Sequence, residues 1–312
     1  VGIGYKDGKL PMPLNIILLG ELVQQELVKK IYPRLKKIDI PCTALGVTSS
    51  WYDHRENLAE KLRSSSHLII LYPGKTTDWF QFVEGFAAGR EPKGIVFCTE
   101  TDAPLGAIKT ILPVFSDVET LITYLTEEKI YRERAEKQRE ARDFIVNAGV
   151  GLSVENLALC VQEGKIDFVE RFLILGYSPD SKNGKGVPIL ILSIRNHHTN
   201  LARLLIEAGA DVNRISEDRG SSALMEAAAL GEIDLVKELL DHGANPDLIS
   251  KNGQTALMLS IGEGKIEAAK ILIQHGANLS AVDALGMSAR KYAELFKHQD
   301  VVELIDTQNQ TK

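Results

Sequence analysis

Apolar residues follow two different rhythms along this chain. In 188–209, 222–243 and 255–276 they recur at helical spacing on either side of a short polar break, as in SALMEAAALGEIDLVKELLDHG. Each segment predicts two helices joined by a tight turn. Gly231 and Gly264 mark that turn, where a residue without a Cβ enters the left-handed region cheaply, and His197 takes the same place one segment earlier. Between residues 14 and 116 the apolar positions instead form short runs separated by amphipathic stretches, the pattern of a parallel sheet covered by helices. The runs predict strands at 14–19, 41–47, 67–72, 94–98 and 112–115, and helices at about 21–37, 55–65, 78–90 and 117–126.

The paired-helix segments belong to a longer period. Gly186, Gly220, Gly253 and Gly286 stand 34, 33 and 33 residues apart, and Gly176, Gly209, Gly243 and Gly276 stand 33, 34 and 33 apart. A fixed interval of this length marks stacked units that share one core, for which Leu204, Leu205, Leu239, Leu240, Ile271 and Leu272 are the expected positions. The segments resemble the ankyrin repeat. Its Thr-Pro-Leu-His start has altered counterparts in Ser222-Ala223-Leu224-Met225 and Thr255-Ala256-Leu257-Met258, and Gly-Ala-Asp-Val-Asn at 209–213, Gly-Ala-Asn-Pro-Asp at 243–247 and Gly-Ala-Asn at 276–278 follow. The resemblance implies a solenoid of about five units over 148–309, atypical at both ends, with the last unit losing its final hairpin. It also implies a surface of loop tips and inner helices for a protein partner of unknown identity. Asp218, Arg219, Lys251 and Asn252 would stand at those tips, either as contacts or simply solvated.

The predicted fold class is therefore α/β plus all-α. A leader segment at 1–12 precedes an α/β domain at 13–125, whose five parallel strands suggest a flavodoxin-like, doubly wound order with covering helices. A connector helix at 126–147 then leads into the solenoid. Its segment TEEKIYRERAEKQREAR holds six basic and five acidic residues, and the pairs Glu128–Arg132 and Glu133–Lys137 at four-residue spacing predict an exposed, semi-rigid spacer.

In open parallel sheets ligands sit beyond the carboxyl ends of the strands, so the loops after Leu19, Val47, Tyr72 and Cys98 are the ones to inspect. Gly74-Lys75-Thr76 is not a phosphate loop, because the leading glycine and four-residue spacer are missing. The segment Asp78-Trp79-Phe80-Gln81-Phe82-Val83-Glu84-Gly85-Phe86 predicts the helix after the third strand, with Glu84 among apolar neighbours where a carboxylate is costly unless paired or facing a cleft. Together with Ser64-Ser65-Ser66-His67-Leu68-Ile69-Ile70-Leu71-Tyr72, it resembles the Toll/interleukin-1 receptor domain and the nucleoside deoxyribosyltransferases. That resemblance implies that Glu84 faces the cleft and stabilises or captures the sugar cation formed when a ribose–base bond breaks, with NAD or a nucleoside as substrate and no cofactor required. Asp78 could bind a ribose hydroxyl or cap its helix, Trp51, Tyr52 or Trp79 could stack on a base, and Gly20 and Tyr72 would line the pocket. A salt link from Glu84 to Arg55, Arg63 or Arg90, with no catalytic duty, is the alternative.

Composition narrows the partners. Lysine and arginine total 36 against 42 acidic residues, a formal charge of -6, so no net basic field draws nucleic acid. Cys42, Cys98 and Cys160 are dispersed, no His/Cys cluster has zinc spacing, and His242 and His275 fit helix-terminal hydrogen bonds better than a metal ladder. No apolar run approaches the roughly 20 residues that cross a bilayer, and a cytoplasmic location is expected. Two functions follow: a scaffold whose repeats recruit a protein while the N-terminal domain cleaves or transfers an N-glycosidic bond, or a non-catalytic adaptor or nucleotide sensor whose N-terminal domain only binds or self-associates.

Overall fold

The computed structural model describes residues 15–21, 25–47, 60–62, 65–72, 83, 93–97 and 112–310. The chain divides into two compact units, 1–137 and 138–312.

The first unit holds strands β1 (Ile16–Glu21), β2 (Cys42–Val47), β3 (His67–Leu71), β4 (Lys93–Phe97) and β5 (Val114–Phe115), helix α1 (Gln25–Lys37) and the start of helix α2 (Val118–Asn147). The strands are all parallel, in the order β2-β1-β3-β4-β5, so the direction of connection reverses between β1 and β3. Strands covered on both faces read as unbroken apolar runs. Ile16, Leu18, Ile69, Leu71, Ile95 and Phe97 pack with Ile31 and Leu35 of α1 and with Leu121 and Leu125 of α2. Ile17, Leu19, Leu68, Ile70 and Val96, which alternate to the other face, are buried as well.

One expectation fails at α2. The short helix at 117–126 and the exposed connector at 126–147 are a single helix, and Glu128 and Arg132 are buried, with 3% and 7% of their surface exposed. Arg132 Nε donates to Glu128 Oε1 at 2.9 Å, and the buried His67 places Nε2 3.8 Å from that same oxygen. The face that seats Leu121 and Leu125 on the sheet continues through 128 and 132, where a paired carboxylate and guanidinium occupy positions that an apolar pattern would have marked. The expected Glu133–Lys137 pair gives way to Lys129–Glu133, at 3.7 Å. Lys129 Nζ also donates to the carbonyls of Ile38 and Asp39, at 3.0 Å each, beyond the carboxyl end of α1, where a cation is favourable.

The second unit stacks five helix pairs: α3 (Val154–Gln162) with α4 (Ile166–Ile174), α5 (Ile189–Arg195) with α6 (Thr199–Glu207), α7 (Ala223–Leu230) with α8 (Ile233–Asp241), α9 (Ala256–Gly262) with α10 (Ile266–Gln274), and α11 (Ala289–Leu295) with α12 (Gln299–Gln310). One apolar core runs from Ile145 to Ile305. The carboxyl end of α2 closes its first face. Ile145 is buried in that core, Phe144 packs on Phe168 with centroids 5.0 Å apart, and the Arg171 guanidinium lies 4.0 Å above the Phe144 ring. Ser222 and Thr255 are helix caps: each side chain accepts from the N–H three residues on, as Ser153 and Ser288 also do. His242 and His275 bond through Nδ1 to the carbonyls of Glu238 and Ile271, at 2.8 Å.

The fifth unit keeps its hairpin, contrary to expectation. Lys297, at φ 61°, adopts the left-handed turn that His197 makes at φ 60°, and the next N–H closes the helix in both cases: His298 to Ala293 at 2.8 Å, His198 to Ser193 at 2.9 Å. No glycine marks that turn, so the sequence hides it.

Between units the chain forms a finger. Its base is folded by Asn183, Ser216, Ser250 and Asp283, whose side chains accept backbone N–H groups across the tip, and Gly186, Gly220, Gly253 and Gly286 close it at positive φ. Each finger donates one backbone hydrogen bond to the finger before it: Glu217 to Gly186, Lys251 to Arg219, and Ala284 to Asn252, at 2.9–3.1 Å. On the loops after the second helices, Asp180, Asn213 and Asp247 accept from the N–H groups of Asp211, Asn245 and Asn278 in the next unit, at 2.7–2.9 Å.

A Cβ at Gly220 would lie 2.9 Å from the Lys251 nitrogen, whereas Gly264, at a similar φ, has open space around it. Gly264→Ala should therefore cost about 1 kcal/mol of backbone strain and Gly220→Ala about 2 kcal/mol or more, compared by urea denaturation. Glu128→Ala, which leaves the Arg132 charge buried without its carboxylate, should destabilise the first unit by about 3 kcal/mol; replacing both residues with apolar ones should cost much less in the same assay.

Candidate functional site

The interval between finger glycines is 33 residues except between Gly186 and Gly220, where it is 34. The extra residue lies in the finger of the third unit, whose tip turns through Ser216 to Gly220 with a bond from the Gly220 N–H to the Ser216 carbonyl, 2.9 Å long. The other three tips close one residue sooner: Asn183 to Gly186, Ser250 to Gly253 and Asp283 to Gly286. The longer tip carries Asp218 back toward α5, where Arg195 meets it in a paired contact: Nη1 to Oδ2 at 2.7 Å and Nη2 to Oδ1 at 3.2 Å. Arg195 Nε donates to Glu226 Oε1 of α7 at 2.7 Å, Nη2 donates to Ser221 Oγ at 2.8 Å, and Ser221 Oγ in turn donates to Glu226 at 2.6 Å.

Opposite charges at hydrogen-bond distance fix the protonation of the cluster. The Arg195 guanidinium holds the Asp218 carboxyl well below the usual carboxylate range, against partial burial and with help from Ser216 and the Arg219 N–H. Burial works against the Arg195 charge, but its bonds to Asp218 and Glu226 outweigh that cost and raise its pKa.

This cluster forms one wall of a groove of about 420 Å³ between the fingers of the third and fourth units and helices α7 and α9. All four residues predicted as tip contacts, Asp218, Arg219, Lys251 and Asn252, line it. They are not equivalent. Asp218 is committed to Arg195, and Lys251 Nζ donates to the Glu217 carbonyl, whereas the Arg219 and Asn252 side chains make no hydrogen bond or ion pair among the described residues. Met225, Ala229, Leu259 and Glu263 complete the lining, none of which the tip pattern indicated. Their signal was present in the period itself, because residues one interval apart occupy the same place in consecutive units.

Of the residues expected at the carboxyl ends of the strands, Gly20 and Tyr72 are described. Leu19 lies opposite Ile70, so the two sit at the same end of neighbouring strands β1 and β3. Both are buried, and the Tyr72 N–H bonds to the Phe97 carbonyl at 2.9 Å. Glu84, Asp78, Trp51, Tyr52 and Trp79 lie outside the described residues. Among those described, no group of three or more His, Cys, Asp or Glu side chains could hold a metal ion, and no helix is long and apolar enough to cross a membrane.

Arg195→Ala should destabilise the repeat unit by about 2–3 kcal/mol, since Asp218 and Glu226 lose their common donor. The Asp218 pKa is depressed by folding, so its contribution is complete above the ordinary carboxylate range and is lost as pH falls below it. Stability measured by urea denaturation should accordingly fall more steeply on acidification below about pH 4 in the unsubstituted chain than in Arg195→Ala.

The family model for ankyrin repeats (3 copies) matches residues 157–250 and 224–311. An ankyrin repeat-containing protein of Treponema pallidum (strain Nichols) is 34% identical over 252 residues, covering 78% of this chain and 83% of that one. Human 2-5A-dependent ribonuclease is 36% identical over 80 residues, and the mouse ankyrin repeat and SAM domain-containing protein 6 is 39% identical over 71. Those two matches take in 24% and 23% of this chain but only 11% and 8% of the relatives. The Treponema match is too long to be held by the repeats alone and extends into the N-terminal half. With its stacked helix pairs, its fingers and a relative matched over most of both chains, the chain belongs to the ankyrin-repeat family.

Proposed function

We propose that the chain is a cytoplasmic scaffold that recognises another protein through the finger groove of its repeats and couples that recognition to its N-terminal α/β domain. The observation that carries this reading is the groove itself, an open concavity in which Arg219 and Asn252 present unspent hydrogen-bonding groups beside the fixed Arg195 cluster. Repeat surfaces of this kind serve recognition because their exposed positions vary without disturbing the shared core. The length of the Treponema match supports the coupling, since part of the N-terminal half accompanies the repeats in that relative too.

For the N-terminal domain we propose a flavodoxin-like, doubly wound fold related to Toll/interleukin-1 receptor and nucleoside deoxyribosyltransferase domains, acting on the N-glycosidic bond of NAD or a nucleoside in signalling or defence. Support comes from the reversal of strand order between β1 and β3, the place where such sheets bind ligands, with Gly20 and Tyr72 at that end. Glu84 is the proposed catalytic carboxylate, stabilising positive charge on the sugar or capturing it as an ester, with Asp78 on a ribose hydroxyl and Trp51, Tyr52 or Trp79 against the base. The non-catalytic reading keeps the same cleft for binding or self-association alone.

Base release from NAD and from deoxynucleosides by the purified chain distinguishes the two. The catalytic reading expects turnover that falls by roughly a hundredfold or more in Glu84→Gln, a loss typical of removing a transition-state charge partner. Absence of turnover at any protein concentration leaves the adaptor.

A further inference from the structure

The repeat register says which residues flank the groove beyond its two central units. Counted back from the finger glycine, Arg219 corresponds to Lys185 in the second unit, Asn252 in the fourth and Leu285 in the fifth. On the inner helices, Glu226 corresponds to Leu259 and Tyr292, Ala229 to Arg195 and Gly262 and then Leu295, and Leu230 to Glu263 and Phe296. Four fifth-unit counterparts, Leu285, Tyr292, Leu295 and Phe296, are thus large and largely apolar, beside Asp283, Ala284 and Lys291 at other positions. Leu285 is 86% exposed, Leu295 63% and Phe296 46%, with the Phe296 ring stacked on Tyr292. Singly exposed apolar residues are ordinary; several on one finger and the inner helix that follows it mark an interaction surface.

The opposite end has a different chemistry. The fingers of the second to fourth units carry Lys182, Lys185, Arg219 and Lys251, in a chain whose net charge is -6. Lys182 is matched by Glu217 at 2.8 Å, and Arg195 by Asp218 and Glu226, whereas Lys185 and Arg219 meet no carboxylate among the described residues. Glu263 is the one groove-lining acid outside the Arg195 cluster, and it lies toward the apolar end. The surface therefore passes from cationic at the second and third units to apolar at the fifth.

We propose that this surface binds an extended segment of a protein partner bearing carboxylates at one end and large apolar side chains at the other. The carboxylates would lie over Lys185, Arg219 and Lys251, and the apolar side chains over Leu285, Leu295 and Phe296. Charge complementarity selects the acidic half. The apolar half favours a polypeptide over a polyanion such as RNA, whose phosphates would gain nothing from Leu285, Leu295 and Phe296, while Lys291 beside them is tied to the Gly286 carbonyl at 3.0 Å. Neighbouring packed helices lie about 8–10 Å apart, so three repeat steps span roughly 30 Å, the reach of an extended segment of about nine residues. The inference rests on the reading of the repeats as a protein-recognition surface and adds the chemistry of what is recognised.

The test uses the full chain and a phage-displayed library of random twelve-residue peptides, with enriched peptides resynthesised and titrated by fluorescence polarisation. Enriched peptides are expected to combine an acidic cluster with distal Leu, Phe or Trp. Their affinity should fall at least tenfold with Arg219→Glu plus Lys251→Glu, and likewise with Leu285→Ser plus Phe296→Ser. Unchanged helical circular dichroism and melting midpoint establish that the variants fold. Lys185→Glu, at an exposed side chain that makes no hydrogen bond or ion pair among the described residues, should weaken binding several-fold on its own and provides a second reading should a double variant fail to fold. Peptides of other composition, or peptides whose binding survives these substitutions, overturn this proposal and leave the scaffold reading standing. No enrichment at all overturns both.

Discussion

A two-helix hairpin of about twenty residues cannot cover its own apolar face, and the second unit of this protein exists only because each hairpin lends that face to the next. Every other feature of the array follows from keeping successive hairpins in register. The left-handed turn at Gly164, His197, Gly231, Gly264 or Lys297 reverses the chain within each pair, and the finger glycine sets it down beside its neighbour. At Gly220 and Gly253 the glycine answers two demands together, a positive φ and a backbone less than a side chain away. Because the advance is the same at each step, residues that share a repeat position come to share a line on the surface, and the groove is a product of that regularity.

The polar joints between units work differently from the core. The Asp180, Asn213 and Asp247 side chains each bridge one gap at an exposed edge, and the finger bonds repeat the same geometry from unit to unit. The Arg195 cluster breaks the regularity. It depends on a single inserted residue in one finger, and it places five donor contacts of one guanidinium against two carboxylates and two hydroxyls. A planar, always-charged fork suits that task where a lysine would not. It gives one step of an otherwise uniform stack its own shape.

The regular features were legible in the sequence because they repeat: the helix pairs, the turns at Gly231 and Gly264, the histidine bonds at 242 and 275, and the tip positions that meet in the groove. Features that depend on a single contact were not. Glu128 and Arg132 read as solvated charges because pattern assigns a face by residue type, whereas a close partner and a seat beside His67 make burial tolerable. The hairpin at Lys297 was hidden because lysine is a rare occupant of a left-handed turn, and Asp218 looked free because Arg195, its partner, lies 23 residues away in another unit. In the first unit the five parallel strands could be read from their apolar runs, since a sheet buried on both faces leaves little ambiguity. The covering helix at 117–126 was legible too, but not its continuation past 126 with Glu128 and Arg132 on the buried face.

Helix α2 bears on how the protein can be divided. The family match begins at residue 157, and a boundary at 148 is what the repeats alone suggest, yet Ile145 is part of the solenoid's core and Phe144 covers Phe168 and Arg171 from the same helical turn. A fragment cut at either point would uncover the first hairpin to water and begin to fray there. The terminal shield of the stack is thus a helical turn outside the repeat pattern, and a binding array trimmed to its repeats would lack it.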